Sequence, residues 1–119
     1  MNKTQIVSHK GKNIVYVDLS GCKEVELSSQ LAEAKMMISH RGKETVLLLT
    51  NVTGVELTKE SSRLMKDFSS HNTPYVKASA VIGVEGLQKI IYSAVQRVSG
   101  RKIPTFETVE QAKDWLVSQ

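Results

Sequence analysis

The 119-residue sequence has few of the residues that mark specialised classes of protein. Its single cysteine, Cys22, cannot form an internal disulfide and has no histidine nearby at metal-ligand spacing, so we expect a small half-buried thiol. Aromatic residues make up only 5% of the chain and the lysines are dispersed, which argues against nucleic-acid binding despite a net charge of +4. We predict no metal site and no cofactor.

Long hydrophobic runs are also missing. The longest, such as "VLLL" at 46–49, are far shorter than the roughly 20 residues that span a bilayer, and residues 1–12 contain no apolar signal core. We therefore predict no transmembrane segment and a cytoplasmic location. The composition, 40% hydrophobic and 24% charged, is typical of a globular protein, and the length predicts a single folded domain over residues 1–119.

Strand-like and helix-like segments alternate along the chain. "TQIVSH" and "NIVYVDL" are separated by "KGKN", a turn of hairpin length, so the chain is predicted to open with an antiparallel hairpin. Helices and strands then alternate, giving the order ββαβαβαβα. Strands joined by a single helix are parallel, so the sequence predicts an α/β fold with a mainly parallel sheet and helices packed against it.

Apolar residues recur at helical spacing in each predicted helix. The first helix has its buried stripe at Leu27, Leu31, Ala34 and Ile38. The second begins near Thr58 and buries Leu64, Met65 and Phe68. The third has the widest stripe, which must be buried: Leu87, Ile90, Ile91, Ala94, Val95 and Val98.

Three polar loops are expected to meet where the parallel strands end, because strand C-termini and helix N-termini share one edge of the sheet. "DLSG" at 18–21 and "NVTG" at 51–54 each combine an Asp or Asn, a hydroxyl and a glycine, which favours a side chain that bonds its own backbone before a positive-φ exit. The third loop is "IGVEG" at 82–86. The predicted residues of this edge are Asp18, Ser20, Asn51, Thr53, Gly83, Glu85 and Gly86.

A pair of serines, Ser61 and Ser62, opens the second helix. A phosphate on either would be stabilised by the helix dipole and would change the local charge by about −1.5 to −2. The alternative is that the hydroxyls only satisfy free N–H groups of the first turn. Together with Thr58 and Glu60, these serines form the candidate phosphoacceptor or partner-binding site.

Catalytic patterns are missing from the sequence. There is no Gly-Lys-Ser/Thr triplet of a P-loop and no dinucleotide fingerprint. His40 and His71 fall at helix C-termini, at the opposite edge from the serines, and His9 lies in the hairpin. We predict a protein that is not an enzyme and has no catalytic residues.

The element order and two motifs resemble the STAS domain family, in particular the SpoIIAA-like anti-sigma factor antagonists, over nearly the whole chain. Val17, Leu19, Ser20 and Gly21 match the family's hydrophobic-x-Leu-Ser-Gly strand end. The family's second motif, Asp-Ser-Ser-Gly, begins helix two and carries a serine phosphorylated by a partner kinase. Its phosphoacceptor falls on Glu60 when aligned without a gap, and on Ser61 with one extra loop residue. Both alignments lose the aspartate and the glycine.

The segment "IPTFETVEQAKDWL" resembles a divergent subgroup related to STAS and Sec14-type lipid-carrying domains. That resemblance implies an apolar pocket beneath the third helix, with Leu87, Ile91 and Val95 as candidate lining residues. The alternative is that this stripe simply packs on the sheet.

We therefore expect a non-enzymatic regulatory or protein-interaction domain whose partner is a kinase-like or other regulatory protein, with a homodimer also possible. A small-molecule or lipid-like ligand-binding domain is the alternative. The first hypothesis predicts an exposed Ser61 with few intramolecular bonds. The second predicts a cavity of several hundred Å³ beneath the third helix or between the loops.

Overall fold

A computed structural model describes residues 3–86, 88–100 and 102–119, without the side chains at 88, 91, 94, 95, 98 and 99. Its elements are β1 (Thr4–His9), β2 (Lys12–Asp18), α1 (Glu24–Ser39), β3 (Val46–Asn51), α2 (Lys59–Asn72), β4 (Val76–Ile82), α3 (Gln88–Ser99), β5 (Thr105–Phe106) and α4 (Val109–Val117). The predicted α/β class and element order are confirmed.

The five strands form one mixed sheet in the order β1-β2-β3-β4-β5. β1 pairs antiparallel with β2, as the hairpin signal predicted, and the other three pairs are parallel. Each crossover therefore steps in the same direction across the sheet. Because such crossovers are right-handed, the three connecting helices pack on the same face.

Alternating residues of the strands supply two apolar cores. Val15 and Leu48 belong to the core that also contains Leu27 of α1, Met65 of α2 and Tyr92 of α3. Ile14, Leu47 and Leu49 belong to the second core, with Ala112 and Leu116 of α4. The sheet is thus covered on both faces, which explains why its central strands are apolar on both sides.

Helix α4 is tied to the first hairpin by polar contacts. His9 Nε2 lies 2.7 Å from Asp114 Oδ1, and Lys10 Nζ lies 2.9 Å from the same oxygen. Lys12 Nζ donates to the carbonyl of Val117 at 2.9 Å. The start and the end of the described chain are therefore held together across the second core.

The predicted helical stripes agree with the structure in α1 and differ in α3. Leu27, Leu31, Ala34 and Ile38 are all buried. Ile90, however, is 67% exposed, so its predicted burial is wrong. Among the α3 side chains that the structure describes, Tyr92 is the buried one. Two residues along a helix correspond to a rotation of about 200°, so the two side chains lie on nearly opposite faces. The predicted pocket residues Leu87, Ile91 and Val95 lie outside the described residues and side chains.

Candidate functional site

The loops that follow β2, β3 and β4 are joined by backbone hydrogen bonds. The Gly21 amide donates to Thr53 O at 2.7 Å, and the Val52 amide donates to Ile82 O at 3.0 Å. A third bond, 2.9 Å long, runs from the Glu56 amide to the carbonyl of Cys22. The predicted convergence of the three loops is therefore present, and we call this region the carboxyl edge.

The two similar turns of the carboxyl edge use the same chemistry. Asp18 Oδ1 accepts from the amide of Ser20 at 3.0 Å and from its hydroxyl at 2.6 Å. Asn51 Oδ1 accepts from the amide of Thr53 at 3.0 Å and from its hydroxyl at 2.7 Å. Gly21 and Gly54 follow with φ of 70° and 68°. The side chains of Asp18, Ser20, Asn51 and Thr53 therefore stabilise the two turns that the sequence pattern predicted.

Gly83 is the point of closest approach between two of these loops. A Cβ built on Gly83 would lie 2.2 Å from Thr53 Oγ1 and 2.5 Å from Thr53 N, and its φ is +86°. Gly86 also has a positive φ, but nothing lies within 4 Å of a Cβ built there. A close backbone approach therefore occurs at Gly83 and not at Gly86.

Ser61 is fixed in the N-terminal cap of α2. Its amide donates to Thr58 Oγ1 at 2.9 Å, and its own hydroxyl accepts from the Thr58 amide at 2.8 Å. Ser61 is only 2% exposed, so the exposure predicted for a phosphoacceptor at this position is wrong. Thr58 also donates its hydroxyl to Glu24 Oε1 at 3.1 Å, which joins the N-termini of α1 and α2. These hydrogen bonds form the capping box of α2, and a modified Ser61 could not maintain them.

An open groove of about 550 Å³ lies between the start of α2 and α3. We call it the basic groove; it is lined by Leu57, Thr58, Lys59, Ser62, Arg63, Lys66 and Ile90. Arg63 donates to Glu60 through Nε at 2.7 Å and Nη2 at 2.6 Å. This hydrogen bond lowers the pKa of the Glu60 carboxyl and raises that of the guanidinium. Glu60 thus neutralises part of one side of the groove.

Three exposed apolar side chains lie at the helix N-termini of the carboxyl edge. Val25 in the first turn of α1 is 88% exposed, and Ile90 in the first turn of α3 is 67% exposed. Leu57, which is 41% exposed, lies two residues before α2 and shares the basic groove with Ile90. Isolated apolar residues are ordinary on surfaces, but two that share a groove form a small patch that another molecule can bury.

Two much smaller cavities lie between α2, α3 and the sheet. The inner cavity, of about 20 Å³, is lined by Leu48, Thr50, Met65, Phe68, Ser69, Asn72, Ser79, Val81, Tyr92 and Ile103. The middle cavity, also of about 20 Å³, is lined by Val52, Val55, Leu57, Ser61, Ser62, Met65 and Tyr92. Each has room for about one water molecule. A cavity of several hundred Å³ beneath the third helix is therefore not found among the described residues. At the loop after β4, by contrast, an open space of about 510 Å³ is lined by Gly83, Val84, Glu85, Lys89, Thr105, Phe106 and Glu107.

Two polar groups beside the inner cavity are buried without hydrogen-bond partners among the described residues: Asn72 Nδ2 and the hydroxyl of Tyr92. Asn72 is completely buried and Tyr92 is 6% exposed. Burial also raises the pKa of the Tyr92 hydroxyl, so it stays protonated. Leaving such a group unpaired costs about 1 to 3 kcal/mol, which makes this the least satisfied part of the described interior.

The described histidines and the cysteine do not line the basic groove. No group of three or more His, Cys, Asp or Glu residues able to hold a metal ion occurs in the described part of the chain. His40 caps the C-terminus of α1 and His71 lies in the last turn of α2, as predicted, away from the carboxyl edge. Cys22 is 1% exposed, so it is fully buried and not half-buried as expected. Burial, followed by the charges of Glu26 and Asp18, raises the pKa of its thiol.

Within residues 3–86, 88–100 and 102–119, no helix combines the length and the apolar character needed to cross a membrane. Comparison with models of known protein families, with curated proteins and with solved structures found no match to this chain.

Several residues of the candidate site were not selected from the sequence. Leu57 and Lys66 line the basic groove, and Asn72 and Tyr92 border the inner cavity. Leu57 did carry a signal, since it is an apolar residue flanked by the polar residues Glu56 and Thr58. Asn72 carried no such sequence signal, because a polar residue near a helix end is normally solvated.

Proposed function

We propose that this chain is a STAS-like, non-enzymatic interaction domain that binds a regulatory protein at the carboxyl edge. The observation that carries the proposal is the basic groove, where exposed Leu57 and Ile90 lie beside the cationic side chains Lys59 and Lys66. Such a groove fits an amphipathic segment with an apolar face and acidic flanks. Burying the exposed part of each apolar side chain contributes about 1 to 2 kcal/mol to binding.

Phosphorylation of Ser61 is not part of this proposal. Its hydroxyl is held by two contacts to the backbone of Thr58, one accepted and one donated, and it is buried. Glu60, the other residue that aligns with the family's phosphoacceptor, carries a fixed negative charge bound to Arg63. Binding at this edge is therefore proposed to be constitutive. Ser62, half-buried in the wall of the basic groove, remains the serine that a partner can contact.

Site-specific photo-crosslinking tests the proposed surface. A photoreactive amino acid is introduced at Leu57, and a control at Met36, which is 63% exposed on α1 outside the basic groove. In the cell that makes the protein, we expect a discrete crosslinked species from position 57 and not from position 36. The partner is then identified, purified and titrated against the purified chain by calorimetry.

Charge reversal then tests the groove itself. We expect Lys66→Glu to weaken binding of the identified partner at least tenfold, whereas Lys77→Glu, at an exposed residue outside the groove, leaves it unchanged. Equal crosslinking at both positions, or equal affinity of the two charge variants, would count against an interaction site at this edge.

A further inference from the structure

The inner cavity, the middle cavity and the basic groove lie next to one another. Met65 and Tyr92 line both the inner and the middle cavity. Leu57 and Ser62 line both the middle cavity and the basic groove. Together they mark a path along the interface of α2 and α3, from the surface towards the buried side chain of Asn72. Among the described residues, the side chains shared by neighbouring cavities interrupt this path.

The unpaired groups at the inner end of this path are hydrogen-bond donors. Asn72 Oδ1 lies 3.0 Å from His71 Nδ1, which leaves the amide NH₂ without a partner in the described structure. The hydroxyl of Tyr92, equally unpaired there, can also donate. A carbonyl oxygen has two lone pairs and can accept from two such donors at once.

The walls of the path favour an uncharged molecule. Among the described residues that line the inner and middle cavities, none carries a charge. An ion that entered would lose its hydration without gaining a counter-charge. Met65 and Phe68 provide apolar contact, and the unbranched side chain of Met65 can change rotamer to make room.

We propose that the inner and middle cavities form a binding site for a small neutral carbonyl compound that enters through the basic groove. Its carbonyl oxygen accepts from Asn72 and Tyr92, and its apolar body displaces Met65. The cavities are about 20 Å³ each in the free protein, so binding requires α3 to move outward. Gly86 and Gly100, with φ of 55° and 69°, border α3 and can take up that change. The site does not depend on a protein partner.

Three matched probes test the chemistry on the purified chain by ¹H–¹⁵N NMR titration. Acetophenone has a carbonyl beside an aromatic ring, ethylbenzene has a similar shape without the oxygen, and benzoate replaces the ketone by a charged carboxylate. We expect saturable shifts of the Asn72 side-chain NH₂ with acetophenone, at least tenfold weaker binding of ethylbenzene, and no binding of benzoate. Thermal shifts measured with the same probes on the unmodified chain provide a readout that needs no variant.

The Tyr92→Phe variant distinguishes a Tyr92 hydroxyl that binds a ligand from one that is merely buried and unpaired. We expect the variant to bind acetophenone about tenfold more weakly and ethylbenzene as tightly as the parent chain does. Tyr75→Phe, at a half-buried tyrosine that lines neither cavity, is the control and leaves both affinities unchanged. The proposal is overturned if acetophenone gives no saturable shift, if it binds no better than ethylbenzene, or if Tyr92→Phe leaves its affinity intact.

Discussion

Replacing Gly83 with alanine tests how strongly the close approach of the loops contributes to stability. A Cβ on Gly83 would lie 2.5 Å from the backbone nitrogen of Thr53, which cannot move away without separating two loops. The left-handed conformation costs alanine about 1 to 2 kcal/mol. Separating the loops weakens the Val52–Ile82 and Gly21–Thr53 backbone bonds, each worth about 1 kcal/mol. We expect Gly83→Ala to lower the free energy of unfolding by about 3 to 4 kcal/mol.

Gly21→Ala is the matched control for Gly83→Ala. Gly21 lies at the same edge with φ of +70°, but nothing lies within 4 Å of its Cβ position, so only the conformational cost applies. Urea unfolding, followed by fluorescence of the single tryptophan, Trp115, measures both variants. We expect Gly83→Ala to be the less stable by about 2 kcal/mol. A difference below about 0.5 kcal/mol would refute the argument that steric overlap, and not backbone conformation alone, keeps this position glycine.

Three further predictions concern other parts of the structure. Thr58→Ala removes the acceptor for the Ser61 amide and should lower the free energy of unfolding by about 1 kcal/mol, measured in urea; an unchanged midpoint would contradict the capping box. Hydrogen bonds from His9 and Lys10 lower the pKa of Asp114, so its stabilisation is present above the unfolded value near pH 4 and is lost as the pH falls through the lower folded pKa. The stability difference between the parent chain and Asp114→Asn should therefore shrink in acid unfolding curves below about pH 4, and a constant difference would argue against the contact. Cys22 should react with a thiol reagent only as fast as the protein unfolds, and rapid reaction of the native protein would be inconsistent with its burial.

The turn chemistry and the order of the elements could be predicted from sequence because both depend on local patterns. The Asp18 and Asn51 turns are each contained in four residues whose side chains bond the adjacent backbone. The buried stripe of α1 follows from a regular 3.6-residue repeat. Such local features do not depend on how distant parts of the chain pack.

Features that depend on which side of an element faces the interior were harder to predict. Ile90 belonged to an apolar stripe so broad that its centre could not be located, and Tyr92, with a polar hydroxyl, was not included in it. A serine in the first turn of a helix can be exposed or can satisfy a free N–H group, and the sequence pattern does not distinguish the two; in the structure Ser61 does the second. Asn72 is completely buried although its residue type is normally found at the surface.

The contact between the hairpin and α4 also bears on the kinetics of folding. Each strand of the sheet after β1 pairs with the strand that precedes it in the sequence, so most strand pairs join segments that are close in the chain. His9 and Asp114, by contrast, are 105 residues apart. Closing so long a loop is entropically costly, and we therefore expect the second core to form after the transition state. Leu116→Ala should then accelerate unfolding and leave the refolding rate nearly unchanged in stopped-flow measurements, whereas slower refolding would place α4 in the folding nucleus.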